Sequence, residues 1–189
     1  MIETSEALAL LLSRKSHNKL VLPAPTEQQL KIMFKAALRA PDHAQLKPWR
    51  YRVYQGEALL QLASIFVQAS TTADPSISPE KAQKIEAKAM RAPLVVVASV
   101  CLVEHPKVPE IEQILSSGAS VQNLLMAAHF QGVGAIWRTG ELAFNSHLGE
   151  LLDFAENEIV TGFIYLGTEI GVKREAKIPQ IEDFVTQFT

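Results

Sequence analysis

The chain reads as an α+β fold, a small mixed sheet with helices crowding both faces, and three observations predict it. The stretch Gly118 to Gln131 is apolar on nearly every side, and a helix without a polar face is normally a buried one. It feeds straight into Gly132–Trp137, where the period changes to that of a short strand bounded by glycines. About four strands and about six helices follow one another without strict alternation, which favours a mixed sheet over a doubly wound parallel one.

Taken in order, Thr4–Ser13 has the spacing of an amphipathic helix and leads into the polar run Arg14 to Lys19. Pro23 and Pro25 break the next connection, and Thr26 with Gln29 has capping-box spacing for a helix to about Arg39. Ala40-Pro41 stops that helix, because a residue before proline avoids helical geometry. A loop continues to Pro48, and Trp49–Tyr54 alternates apolar and polar residues as a half-buried strand does. Ala58–Gln68 is helical in pattern, and Ser78-Pro79 supplies a cap and a first-turn proline for a helix to about Met90. Leu94–Cys101 is a β-branched run suited to a central strand. Glu110–Leu115 leads into the apolar helix, Asn145 is placed to cap a short helix through Asp153, and Ile159–Leu166 is another strand. The tail beyond Gly167 is charged in its middle and ends with Phe184 and Phe188, which need somewhere to be buried. Docking of residues from about 171 to 189 on a partner subunit would provide that.

With 189 residues the chain suits one domain, 1–189, burying about 70% of its unfolded surface. A net charge of -2 and a pI near 6.2 offer no electrostatic footprint for nucleic acid. The single cysteine, Cys101, excludes an intramolecular disulfide and agrees with a reducing compartment. Glu3 and Glu6 stand where a signal peptide needs basic residues, and the run Leu94–Val100 is too short for a bilayer. The expectation is a cytoplasmic protein.

No Gly-rich dinucleotide fingerprint follows a strand, and neither a phosphate loop nor a Gly-x-Ser-x-Gly elbow is present. Gly132-x-Gly134 follows a helix rather than opening one, which makes it a tight turn. The five histidines lack metal-ligand spacing, so no metal is expected. His129 reads as a hydrogen-bonded core residue. Asp42 and His43 are an acid–base pair with no nucleophile evident beside them.

Three polar clusters remain. Arg14-Lys15-Ser16 puts two cations and a hydroxyl at a helix end, a set able to hold a phosphate dianion by charge-assisted hydrogen bonds. Cations there also complement the helix dipole, and by itself the cluster reads that way first. Arg39, His43, Gln45, Lys47 and Trp49 crowd one proline-bounded loop, either a binding loop or a polar connection around one buried Trp. Trp137-Arg138-Thr139 ends a strand, as a site or as a solvated strand end.

Together the clusters resemble the FMN-dependent nitroreductase family, and the likeness spans nearly the whole chain. Arg14-Lys15-Ser16 is similar to the family's N-terminal Arg-Arg-Ser motif. Ala40-Pro41-Asp42-His43, with Gln45 and Pro48-Trp49, resembles its Ala-Pro-Ser…Pro-Trp loop. Gly118–Trp137 is similar to its central helix and strand, and Val160–Gly167 to its last core strand. The short length and Trp137-Arg138-Thr139-Gly140 resemble its compact bacterial branch. Lys15 stands where a second arginine is usual, which keeps charge but loses the planar fork. The family's longer loop near the nicotinamide side is missing, and Glu141 follows Gly140 here.

The resemblance implies an intertwined homodimer whose sheet is mainly antiparallel, with FMN in two equivalent sites at the dimer interface. Arg14, Lys15 and Ser16 would bind the FMN phosphate and ribityl chain. Arg39 and His43 would reach the same flavin from the partner subunit, and Trp137, Arg138 and Thr139 would line its other side. Lys173, Arg174 and Lys177 are the candidates for a C-terminal phosphate cation. The implied activity is that of an NAD(P)H-dependent oxidoreductase passing two electrons through FMN to a nitroaromatic, quinone or similar acceptor. The flavin carries that chemistry, so no catalytic side chain is expected. Two other readings stand beside it: a flavin-binding dimer that stores, senses or delivers FMN without turnover, and a cofactor-free interaction domain.

Overall fold

The β-branched run becomes the strand on which the sheet is built, in a computed structural model that describes residues 5–171 and 178–188. In chain order the strands are β1 (Leu20–Val21), β2 (Trp49–Gln55), β3 (Leu94–Cys101), β4 (Gly134–Arg138) and β5 (Glu158–Glu169). β3 lies between β2 and β5, with Trp49 opposite Val100 on one edge and Leu94 opposite Leu166 on the other. β5 also pairs with β4, Gly134 opposite Gly167, and at its end with β1, Leu20 opposite Glu169. The expected α+β fold with its mainly antiparallel sheet is present; every described pairing is antiparallel, so no parallel pair makes the sheet mixed among the described residues, and the two-residue β1 is an addition too short to show a sequence period.

Side chains alternate between the two faces of a strand, and each face meets its own helices. Val95, Val97, Phe163 and Tyr165 pack under α3 (Ala58–Ala73) and α4 (Pro79–Ala89), where Phe66 meets Phe163 edge to face at 5.1 Å. Leu94, Val96, Ala98, Ile164 and Leu166 pack under α2 (Glu27–Ala37) and α5 (Glu110–Phe130), against Met33, Leu124 and Ala128. The Thr26–Gln29 capping box is formed, and Ser78 caps α4 with Pro79 in its first turn.

α5 runs unbroken from Glu110, eight residues before the apolar stretch, and two of its serines are anchored to carbonyls of the preceding segment. Ser116 Oγ donates to the Pro41 carbonyl at 2.7 Å, and Ser120 Oγ to that of Ala37 at 2.8 Å. The Tyr51 hydroxyl bonds Ser120 Oγ at 2.6 Å, and burial pushes the Tyr51 phenol up to about 12, against the smaller opposing effect of that bond. The helix expected from Asn145 through Asp153 is reduced to the single turn α7 (Leu148–Leu151), and another single turn, α6 (Gly140–Ala143), precedes it. Asn145 does not cap α7: its Oδ1 accepts the His147 N–H at 2.9 Å in the turn before that helix, whose N-cap is His147, and Asp153, with left-handed φ of 55°, ends helical geometry.

Apolar surface is left over in two places. No residue of α1 (Glu6–Ser13) is buried, although Leu8, Leu11 and Leu12 lie in it. In the tail, Ile178, Ile181, Phe184 and Phe188 are all exposed, Phe188 at 95%. α5 adds Ile111 and Leu115, ahead of the stretch expected to be buried, and Phe130 within it is exposed too, so burial of Gly118–Gln131 is incomplete within one chain. No described helix is long and apolar enough to cross a membrane.

Candidate functional site

The polar run after α1 does not trail into solvent; it is laid along the free edge of β4. The His17 main-chain N–H donates to the Ala135 carbonyl at 3.0 Å, and the Ala135 N–H donates back to His17 Nδ1 at 3.3 Å. His17 Nε2 faces the carboxylate of Glu169 at the end of β5. One residue on, Asn18 Oδ1 accepts from Arg138 Nη2 at 3.0 Å. One residue before the run, Ser13 Oγ and His129 Nε2 share a hydrogen bond of 3.0 Å. Arg14, Lys15 and Ser16 are thus held between two anchored points beside β4.

The glycines at this corner have steric causes. Gly132 has φ of +69° and turns the chain out of α5. Any Cβ at Gly134 would come 2.6 Å from Leu20 and 3.0 Å from the Gly167 carbonyl, so the expected turn is also a point of close backbone approach. Beside it, Ser13, Lys15, His17, His129 and Glu169 border a cavity of about 240 Å³. His129 is only half-buried, a correction to its reading as a core residue, because it sits in the last turn of α5 at this rim. Its imidazole is held below its ordinary value of 6.5 by burial first and then electrostatically by its neighbours, the Arg14 guanidinium among them.

Trp137 and Arg138 fall on opposite faces of the sheet, as neighbours in a strand must. Trp137 is opposite Ile164, on the α5 side, and Arg138 is opposite Phe163, on the α3–α4 side. The indole is fixed by Nε1–H donation to the Thr161 carbonyl at 3.1 Å. That carbonyl is available because β5 bulges there: Ala98 faces Gly162, Ser99 faces Val160, and Thr161 has no opposite number. Gly162 makes room for the ring. The hydroxyls of Ser117 and Thr161 are buried without a hydrogen-bond partner among the described residues. Thr139 is exposed at the start of α6. Glu141 lines a pocket with Ser70, Asp74, Lys81 and Lys88 on the α3–α4 side, the side of the sheet away from Trp137.

Arg39 and His43 are elsewhere. His43 Nδ1 bonds Glu112 Oε2 at 2.7 Å in the first turn of α5, while Asp42 accepts the Lys47 N–H at 2.7 Å; the Asp42–His43 neighbours therefore serve different partners. Ala44, Gln45 and Lys47 all carry left-handed φ between 52° and 59°, a concentration of strain of the kind found at binding loops. Arg39, Asp42, Gln45, Lys47 and Trp49 border a cavity of about 380 Å³. This cluster touches α5 at Glu112 and the first cluster touches it at His129, an interval of roughly 25 Å at 1.5 Å of rise per residue. One chain lays the first cluster beside β4, the strand that ends in the third, and keeps the second at the other end of α5. Lys173, Arg174 and Lys177 lie outside the described residues.

Sequence reasoning overlooked His17, Glu169, Glu112 and the bulge at Thr161. Only the bulge left a signal, a glycine inside a strand pattern at Gly162; the carboxylates are brought in from more than sixty residues away.

The family model described as "Nitroreductase family" matches residues 11–168. The chain is 36% identical over 97% of its length to "Putative NAD(P)H nitroreductase YdjA" of Escherichia coli (strain K12), covering 100% of that relative. Among solved structures, it is similar to a nitroreductase-like family protein from Bacillus cereus, with a TM-score of 0.84 at 18% identity, covering 100% of this chain and 98% of that one. It is also similar to a nitroreductase with bound FMN from Desulfitobacterium hafniense DCB-2, with a TM-score of 0.71 at 18% identity, covering 98% and 100%.

Proposed function

The chain belongs to the nitroreductase family, and on that premise we propose that it is a cytoplasmic, homodimeric FMN-dependent NAD(P)H oxidoreductase acting on a nitroaromatic, quinone or similar acceptor. The observation that carries the reading is the cationic segment Arg14–Ser16 held at the start of β4, between the Ser13–His129 bond and the His17–Ala135 pair, on the strand that carries Trp137. Its donors fit FMN: two cations and a hydroxyl suit the phosphate dianion and ribityl chain, and an indole locked by a backbone carbonyl offers a flat apolar wall. FMN, when bound, supplies the two-electron chemistry.

The chain's own residues then have holding and shaping roles. Arg14, Lys15 and Ser16 bind the cofactor's anionic end; Arg138 supports that segment through Asn18, and Thr139 contributes from the exposed strand end. Arg39 and His43 complete the site from a second chain, with Glu112 orienting the imidazole. The separation of the clusters along α5 supports a site at a dimer interface, as does the apolar surface of α1 and the tail.

Purified protein should be yellow with a bound-flavin spectrum, and anaerobic addition of NADH or NADPH should bleach it. Retention of the oxidised spectrum with both nucleotides would leave a flavin carrier rather than an enzyme. Arg14→Glu should strip FMN without unfolding the chain; flavin retained at wild-type level would refute the phosphate role.

A further inference from the structure

The segment assigned to FMN ends in a histidine that does the work of a missing strand. In an antiparallel ladder, alternate residues turn both N–H and C=O to the same edge. Ala135 turns both toward His17, where a neighbouring strand would answer with one N–H and one C=O. His17 answers with its own main-chain N–H and, in place of a carbonyl, with ring Nδ1. Because a backbone N–H can only donate, Nδ1 carries no proton. The ring proton then sits on Nε2, facing the Glu169 carboxylate. The His17 side chain is only 14% exposed and that of Glu169 28%.

We propose that His17 is a positioning residue for cofactor binding: it fastens the Arg14–Ser16 segment to β4 through main chain and ring together, and Glu169 selects the tautomer that permits it. The inference rests on the FMN reading and adds what keeps the phosphate-holding groups in register. A loop carrying two long cationic side chains loses conformational freedom when it grips an anion; anchoring it beforehand lowers that cost. Only a side chain with an acceptor two bonds beyond Cβ can close the Ala135 contact, which makes asparagine the conservative replacement and alanine the disruptive one.

The test retitrates FMN into flavin-depleted wild type, His17→Ala and His17→Asn, following quenching of flavin fluorescence, with amide exchange read at Ala135 on the same proteins. Loss of the hydrogen bond should weaken FMN binding about tenfold in His17→Ala and speed Ala135 exchange by a similar factor, with His17→Asn recovering most of both. Wild-type affinity in His17→Ala would overturn the positioning role, and so would equal losses in the two variants. Nitrogen-15 shifts of the imidazole should report a proton on Nε2; an Nδ1–H tautomer would overturn the assignment. If the wild-type chain itself takes up no FMN, it is the functional reading that fails; unaltered Ala135 exchange in His17→Ala would sink the anchoring itself.

Discussion

Gly162→Ala tests whether the bulge on β5 exists to seat the indole of Trp137. A Cβ added there would lie 2.0 Å from Trp137 Nε1, 2.6 Å from Cδ1 and 3.0 Å from the Arg138 carbonyl, on a backbone with φ of +150°. The first two contacts cannot be relieved by a flexible chain end, because the ring is tied to the Thr161 carbonyl. The substitution must therefore expel the indole and break that bond. Overpacking together with the backbone strain places the cost at about 2–4 kcal/mol, a fall in Tm of roughly 4–16 °C for a chain of this size. Thermal and urea unfolding at fixed protein and FMN concentration would read it. The control is the same substitution in a Trp137→Ala background, where only the φ and the Arg138 carbonyl still resist and the added cost should drop to about 1 kcal/mol. An undiminished cost in that background would refute the steric account, and so would a loss below 1 kcal/mol in the wild type.

Other expectations follow from the two faces of the sheet and the exposed tail. Glu158 accepts from Arg52 and Ser99 at 2.5 Å each, and Arg52 also lies 4.0 Å over the Phe154 ring. Burial alone would raise this carboxyl, but those hydrogen bonds outweigh it and hold it below its ordinary 4.5. A depressed carboxylate contributes stability that is complete above about pH 4.5 and is lost as pH falls through the lower folded value, so acid unfolding should lose a component in Glu158→Gln, which should also cost about 2–4 kcal/mol near neutrality. Tyr51, Tyr54 and Tyr165 are all raised, chiefly by burial. The neutral phenols thus favour the folded chain fully below pH 10 and less as pH climbs beyond, and the native ultraviolet titration should begin at higher pH than that of the urea-unfolded chain; coincident curves would contradict it. Truncation after Gly171 should leave each chain's core intact, since no described tail residue is buried, while sedimentation shows dissociation into monomers; a fully dimeric, equally stable product would count against docking of the tail.

The core was legible because its signals are periodic and local. The β-branched run Leu94–Cys101 suited a central strand and is one, and the Thr26–Gln29 and Ser78-Pro79 signatures placed their helices through backbone groups that need a partner three residues away. Where the reading fell short, the determinant was distant. α5 extends back to Glu110, with Ser116 and Ser120 bonded to carbonyls at Pro41 and Ala37, and nothing in residues 110–120 announces those acceptors. In the site, Arg14-Lys15-Ser16 and Trp137-Arg138-Thr139 were found as residue types, but that the first lies beside β4, the strand that ends in the second, depends on His17 taking a strand's place beside Ala135. The alternation of β4 also places Trp137 and Arg138 on opposite faces, a consequence of strand geometry that a motif read as one block conceals.

The length of α5 bears most directly on what this chain needs in order to work. His43 is tied to its first turn through Glu112 and Ser13 to its last through His129, and a helix cannot shorten to bring them together. A flavin held by Arg14–Ser16 can therefore meet Arg39 and His43 only if a second chain lays the start of its own α5 beside the end of the first. In a twofold dimer that contact would be made twice, giving two sites rather than one. The same arrangement would cover Ile111 and Leu115, which lie exposed near that end of α5, along with the leucines of α1 next to the cationic segment. Apolar burial and cofactor binding then draw on one interface, so loss of the dimer and loss of FMN should coincide along a dilution series.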